Sequence, residues 1–426
     1  MRILIAADVF PPHCGGAGWS SYHLARALQS RGHEVEAVIP REGKPGSSTC
    51  SCEGIAVQQF GYRAPRLPIL RNVFRNEVLW PRLGRFLAER VRAGSFDLIH
   101  AQHSLTVPAA VQAGRLCGVP VVATVRDYWP LCYRSTLLGR AGEPCARCDW
   151  TAAVRCLGQP LQRLAPLATL VVPYTRGNVR RKARALAQAD AVIAVSRFVA
   201  GRLAAIVPPD RLHVFPNVVD LEEVEQIISV ELFPDGPGPF LLFVGKVEAN
   251  KGARELRDVL GRAAAQLPAK DRLPLIVAGD GSLAHWLEIE LARVGWPALS
   301  LHWADHDQVL RLLAQTELLL FPSRWDEPLS RVLLEACACG TPILAMATGG
   351  TAEIITDGVS GALVPPEVGP FTDRLLSLLR DPSERRRLGD GARRVAQERF
   401  APAVVAGRLE ELYSALLSKA KVEKPA

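Results

Sequence analysis

No apolar run in these 426 residues approaches the roughly 18 to 20 uninterrupted positions that a membrane-spanning helix requires. There is no low-complexity tract and no internal repeat at a period of about 20 to 50 residues, which excludes disordered, fibrous and solenoid classes. The leading MRILIAADVF reads as a buried strand from the second residue, without the basic segment, apolar stretch and cleavage site of a secretory leader. A cytoplasmic chain is the expectation. The spacing G-x-G-x-x-G does not follow the first strand, which disfavours a nicotinamide cofactor. Nor are aromatic residues interleaved with the arginines, as a nucleic-acid surface would have them.

What is there points to a large α/β protein. The length exceeds what one hydrophobic core usually serves, and 48% hydrophobic with 22% charged residues is an ordinary globular balance. The net charge of +8 hides a division. Residues 1–220 carry 28 basic against 14 acidic side chains, and residues 221–426 carry 23 against 29. The basic half suits an anionic small molecule, a membrane surface or nucleic acid, and equally a plain solvated arginine face.

Apolar strands alternate with amphipathic helices along the whole chain, the pattern of parallel sheets with helices on both faces. Strands are predicted at Ile3–Ala7, Glu34–Ile39, Leu98–Ala101, Val119–Thr124, Ala191–Val195 and Leu212–Phe215. An acidic segment ending in PDGPGP follows, and the pattern restarts at 240–245, 274–279, 299–302, 318–322, 342–345 and 361–365. This predicts two Rossmann-like domains, 1–220 and 221–400, with a terminal helix and tail over 401–426.

Three segments carry chemistry. In Pro11-Pro12-His13-Cys14-Gly15-Gly16-Ala17-Gly18, glycines after the first strand permit close backbone approach, and the following helix offers free amides to an anion. In Gly245-Lys246-Val247-Glu248-Ala249-Asn250-Lys251-Gly252, two lysines at a strand's carboxyl end can straddle a diphosphate. Third comes Glu327-Pro328-Leu329-Ser330-Arg331-Val332-Leu333-Leu334-Glu335. Pro328 suits a first helical turn, which would place Glu327 at the helix mouth and Glu335 about 12 Å further along the axis. Glu335 sits in an apolar run, where an unpaired carboxylate is costly. Asp305-His306-Asp307 looks like a metal-binding Asp-x-Asp, but its place before a helical run reads as an N-cap.

The Glu-x7-Glu spacing, its FPS…LLEACACGTP setting, FVGKVEANKG, AGDG and GGTAEIITDGVSGALVPP, in that order, resemble glycosyltransferase family 4. The resemblance implies the GT-B fold: two Rossmann-like domains facing a cleft, with C-terminal helices crossing back to the N-terminal domain. It implies a retaining transfer from a nucleotide-sugar donor to a glycan, lipid-linked or small-molecule acceptor, needing no catalytic cofactor. By position, Glu335 resembles the residue that binds the ribose hydroxyls, and Glu327 the one near the donor sugar and diphosphate. Lys246 and Lys251 resemble the pair that neutralises the diphosphate, Gly15 and Gly16 the loop over the phosphates, and Leu329, Ser330 and Arg331 a stretch of backbone contacts. The chain departs from the family at Arg126-Asp127, where many members have His-Asp near sugar or acceptor, at Lys246, where many have Arg, and after Asn217, where Gly is usual. A nucleotide-sugar epimerase or hydrolase of the same architecture and a nucleic-acid-binding protein are the competing readings.

Two further features stand apart from the donor motifs. Cys132, Cys145, Cys148 and Cys156 fall in an insertion at about 126–165 with the spacing C-x12-C-x2-C-x7-C, which predicts a structural tetrathiolate zinc site or a set of free thiols. The segment Arg63–Arg92 holds eight arginines and two acidic residues, and 175–186 adds five basic residues. Together they predict either peripheral attachment to an anionic inner membrane face, suited to a cell-envelope acceptor, or a solvated surface.

Overall fold

The computed structural model describes residues 1–12, 14–139, 144–145, 148–158, 168–229 and 238–422. Two compact units emerge, one formed by Met1–Val218 with Pro402–Ala426 and the other by Val219–Ala401. His13, part of the cysteine-rich insertion, most of PDGPGP and the last four residues lie outside the described residues.

The first unit contains β1 (Arg2–Ala6), β2 (Glu34–Glu42), β3 (Gly46–Cys52), β4 (Ile55–Tyr62), β5 (Leu98–Ala101), β6 (Val121–Val125), β7 (Ala191–Ala194) and β8 (Leu212–Val214). They form one sheet in the order β3-β4-β2-β1-β5-β6-β7-β8, parallel except for the β3–β4 hairpin. Helices cover both faces, so the central strands are apolar without alternation, as in RILIA, LIHA and VVATV. The hairpin is the element that periodicity does not predict, since GSSTCSC is almost wholly exposed and carries no apolar face.

The second unit holds β9 (Leu241–Val244), β10 (Leu275–Ala278), β11 (Ala298–His302), β12 (Leu318–Phe321), β13 (Ile343–Met346) and β14 (Ala362–Val364). All are parallel, in the order β11-β10-β9-β12-β13-β14. Within each unit the strand order reverses beside the first strand, between β1 and β5 and between β9 and β12. Open α/β sheets bind ligands beyond the carboxyl ends of strands at such a point.

The acidic segment ahead of the second sheet is not merely a linker. It contains a helix, Leu221–Ile228, capped by Asp220, whose carboxylate accepts from the amides of Glu222 and Glu223. The last helix, Pro402–Val422, packs Val405, Ala406, Leu409 and Tyr413 into the core of the first unit beside Ile3, Ile5 and Leu28. Tyr413 Oη lies 2.6 Å from Nδ1 of the buried His100, and Thr124 Oγ1 lies 2.7 Å from its Nε2. Burial, helped by the nearby Arg126 charge, drives the His100 imidazole down to a pKa of about 3, so it is neutral and the two hydroxyls complement its one donor and one acceptor.

Candidate active site

At the reversal point of the second unit, β9 runs into Gly245–Gly252 and β12 into Pro322–Ser330. Lys251 Nζ lies 2.6 Å from Glu327 Oε1, and Ser323 Oγ donates to the same oxygen at 2.8 Å. Glu327 is only 3% exposed. A carboxylate so buried is tenable because a cation and a hydroxyl compensate it. Lys251 also lies 4.7 Å from the centroid of the Trp325 ring, which holds the ammonium over an aromatic face. Among the described residues both partners of Glu327 use Oε1.

The helix that carries Glu335 begins later than Pro328. It spans Arg331–Cys339 with Ser330 as N-cap, and Glu327, Pro328 and Leu329 precede it as irregular backbone. The residue before a proline is pushed out of the helical region. Here the Glu327 carbonyl is also taken by the Gly350 amide at 2.6 Å. A Cβ at Gly349 would stand 2.4 Å from that same carbonyl oxygen, and Gly349 has a φ of +51°, so only glycine lets the loop after β13 pack here. The expected 12 Å separation along one helix therefore does not hold. The late start has its own effect: the first-turn amides have no side-chain cap and no acidic neighbour, an arrangement suited to an anion.

Glu335 is buried on the first full turn of that helix, 3% exposed, where Arg331 Nε lies 2.8 Å and His306 Nε2 2.9 Å from its Oε1. Asp305 is indeed the N-cap of the helix His306–Gln315, with a full capping box to Gln308. That cap aims His306 at Glu335. Nothing local to Asp305-His306-Asp307 singles out this histidine, because its carboxylate partner lies on a different helix 29 residues further along. Leu329 and Ser330 are buried between the two glutamates, while Lys246 is exposed and makes no ion pair among the described residues.

The remaining residues lie in the first unit. Gly15 is the N-cap of the helix Gly16–Ser30, and both glycines are exposed with no side-chain cap. Arg126 donates to the Gln102 carbonyl at 2.9 Å and to Asn217 Oδ1 at 3.0 Å, tying β5 and β6 to the end of the unit. Asp127 caps the Trp129 amide and pairs with His103, 3.1 Å from its Nε2. His103 Nδ1 lies 3.4 Å from Asp8, whose carboxylate also accepts from the Leu105 and Thr106 amides. Periodicity could not single out His103, whose two partners come from other strand ends. Burial disfavours its charge, but Asp127 and then Asp8 outweigh it and raise the pKa to about 10. Asp8 is held below the usual carboxylate range despite its own burial, chiefly through His103. This clasp marks the β1–β5 reversal point. Nearby, burial pulls the Lys182 ammonium down, opposed by Asp8, Glu77 and Asp127.

Of the four insertion cysteines, Cys148 is exposed and the others are half-buried. Among the described residues no three of their sulfurs lie within 4.8 Å of one another.

Residues 14–223 match the family Glycosyltransferase Family 4, and residues 224–395 match Glycosyl transferases group 1. A D-inositol 3-phosphate glycosyltransferase of Frankia alni is 30% identical over 414 residues, covering 89% of this chain and 90% of that one. A D-inositol 3-phosphate glycosyltransferase of Xylanimonas cellulosilytica is 28% identical, covering 95% and 93%. Among solved structures, sucrose-phosphate synthase from Thermosynechococcus elongatus superposes with a TM-score of 0.70 at 21% identity, covering 98% of this chain and 99% of that one. The epimerase, hydrolase and nucleic-acid readings find no support in these relatives. Matched by family over both units, the chain belongs to glycosyltransferase family 4 and is a glycosyltransferase of the GT-B fold.

Proposed function

We propose that the second unit binds a nucleoside-diphosphate sugar at the β9–β12 reversal point and that the sugar is transferred with its anomeric configuration retained. The observation that carries this is the pair of buried, cation-bound carboxylates Glu327 and Glu335 on either side of an uncapped helix start. Glu335 accepts the ribose hydroxyls. The first amides of the Arg331–Cys339 helix, with Lys246 and Lys251, offset the diphosphate charge, and Glu327 Oε2 takes a hydroxyl of the sugar. The acceptor oxygen bonds to the anomeric carbon on the face that the diphosphate leaves. The breaking C–O bond gives its electron pair to the phosphate oxygen, which takes the acceptor's proton, so charge neutralisation replaces a dedicated base.

The acceptor falls to the first unit, where the Asp8–His103–Asp127 clasp and Lys182 gather polar groups at strand ends. A glycan or lipid-linked acceptor of the cell envelope, met by a cytoplasmic enzyme at the inner membrane face, fits the surface beside it. On the helix Pro68–Val73 and the residues flanking it, Leu67, Ile69, Leu70 and Phe74 are 64%, 47%, 47% and 37% exposed, next to the exposed Arg63 and Arg66. No described helix is long and apolar enough to cross a membrane.

A panel of nucleoside-diphosphate sugars with candidate acceptors tests the activity. Acceptor-dependent nucleotide release and a product anomer matching the donor by proton NMR support it, and an inverted anomer ends the retaining assignment. Sedimentation with vesicles that contain or lack anionic lipid, at low and high salt, tests attachment. Binding that needs anionic lipid and fades with salt is expected, at about 1 kcal/mol per basic residue near the surface. Full recovery in the supernatant under all conditions would leave an enzyme that acts away from membranes.

A further inference from the structure

The thiols of the insertion play no part in the donor or acceptor chemistry, yet the backbone gathers them. Cys132 closes a turn on the chain leaving β6: its amide donates to the Tyr128 carbonyl at 2.8 Å, and its carbonyl accepts from Ser135 at 3.0 Å. The Tyr128 amide donates back to the Ser135 carbonyl, so 128–135 is a closed loop. Leu138 and Pro144 then form an antiparallel bridge, and the Cys145 amide donates to Leu137 at 2.7 Å, which returns the Cys145–Cys148 pair towards Cys132. Asp149 accepts from the Ala152 amide and Thr151 hydroxyl, starting the helix Trp150–Gly158 directly after Cys148 and setting Cys156 about two turns along it. Each of the other three thiols lies within electrostatic range of Cys148.

We propose that Cys132, Cys145, Cys148 and Cys156 bind one zinc ion as a structural tetrathiolate that fastens the segment after β6. Four thiols delivered by a closed loop, a bridge and a capped helix, two of them in a C-x2-C knuckle, match the ligand set of a closed tetrahedral site. The other three thiols lie within electrostatic range of Cys148, while among the described residues no three of the sulfurs stand within 4.8 Å of one another. Four Zn–S bonds of about 2.3 Å would draw them to roughly 3.8 Å from one another, with the thiol protons released to solvent. A tetrathiolate with zinc carries two net negative charges, and cations stand by to meet them. Arg134 Nη1 lies 3.9 Å from Cys156 Sγ, and the Arg176 guanidinium lies within range of Cys148. A donor of this kind to a ligating sulfur is the second-sphere support that metal sites use. Because Cys132 lies five residues after Asp127, the ion anchors the stretch whose carboxylate holds His103.

Elemental analysis of the full-length chain, purified without chelator, should find about one zinc per chain. A mercurial thiol reagent should release that zinc to a chromogenic chelator. Cobalt exchanged into the intact protein should show a thiolate charge-transfer band and tetrahedral visible bands. Cys148→Ser and Cys156→Ser should each lower zinc content several-fold, while Cys50→Ser and Cys117→Ser keep it. Folded, metal-free native protein overturns the proposal, as does zinc retained by both Cys148→Ser and Cys156→Ser. The native-chain measurements stand even where a variant fails to fold.

Discussion

Glu335 Oε1 faces the Arg331 guanidinium in an ion pair and lies within hydrogen-bond distance of His306 Nε2, so the carboxylate is charge-compensated before any ligand arrives. Glu335→Gln keeps the shape and removes the charge, so donor affinity should fall by about 1.5–3 kcal/mol, roughly 10- to 100-fold in Kd. Unchanged affinity by calorimetry would take Glu335 out of the donor site. At Glu327 the balance is electrostatic. Lys251→Met strands a buried carboxylate and should cost about 3–5 kcal/mol of stability. Adding Glu327→Gln should restore much of that stability but not kcat, a split that chemical denaturation and steady-state rates would expose; full recovery of turnover would mean that neither residue serves catalysis. His103 has a folded pKa of about 10 against 6.5 when unperturbed. Its clasp therefore contributes fully below about pH 6.5, weakens as pH rises and is lost once pH passes about 10. His103→Gln should flatten the alkaline decline in unfolding free energy between about pH 7 and 9.5. An identical slope in the two proteins would show that the clasp does not titrate as argued.

Elements were legible in proportion to their burial. LIVA, LLLF and ILAM are apolar at every position because helices shield both faces of their sheet, and a run of that kind needs no partner to be recognised. The β3–β4 hairpin was not legible, since its outer strand offers no apolar face and its pairing is defined by the neighbour rather than by its own residues. The start of the Glu335 helix was misread for a similar reason. Pro328 fits a first turn locally, and only the loop after β13, packed on the Glu327 carbonyl, shows why the helix waits until Arg331. The two glutamates and two lysines stand out in the sequence by their spacing, whereas His103 and His306 are distinguished only by carboxylates on separate elements. The last helix rests on such a long-range contact. Tyr413→Phe leaves a nitrogen of the buried His100 without its partner and should cost about 1–3 kcal/mol. A loss below about 0.5 kcal/mol in chemical denaturation would mean that the bond contributes little net.

On the scale of the whole molecule, each unit has its own sheet and its own core, and the chain passes from the first to the second and back. Ending the chain at Ala401 removes Val405, Leu409 and Tyr413 from the first core, each contributing about 1.5–3 kcal/mol on burial. Such a truncation should lower amide-exchange protection throughout β1, β5 and β6 and leave β9–β13 unchanged. Equal protection in both sheets would show that the last helix is dispensable. The same return path sets an order in time. A ribosome adding about 5–20 residues per second finishes residues 1–218 roughly ten to forty seconds before it reaches Pro402, and the contiguous second unit is completed within that interval. The half of the enzyme that is synthesised first is thus the half that matures last, its β1–β5 edge waiting for a helix not yet translated.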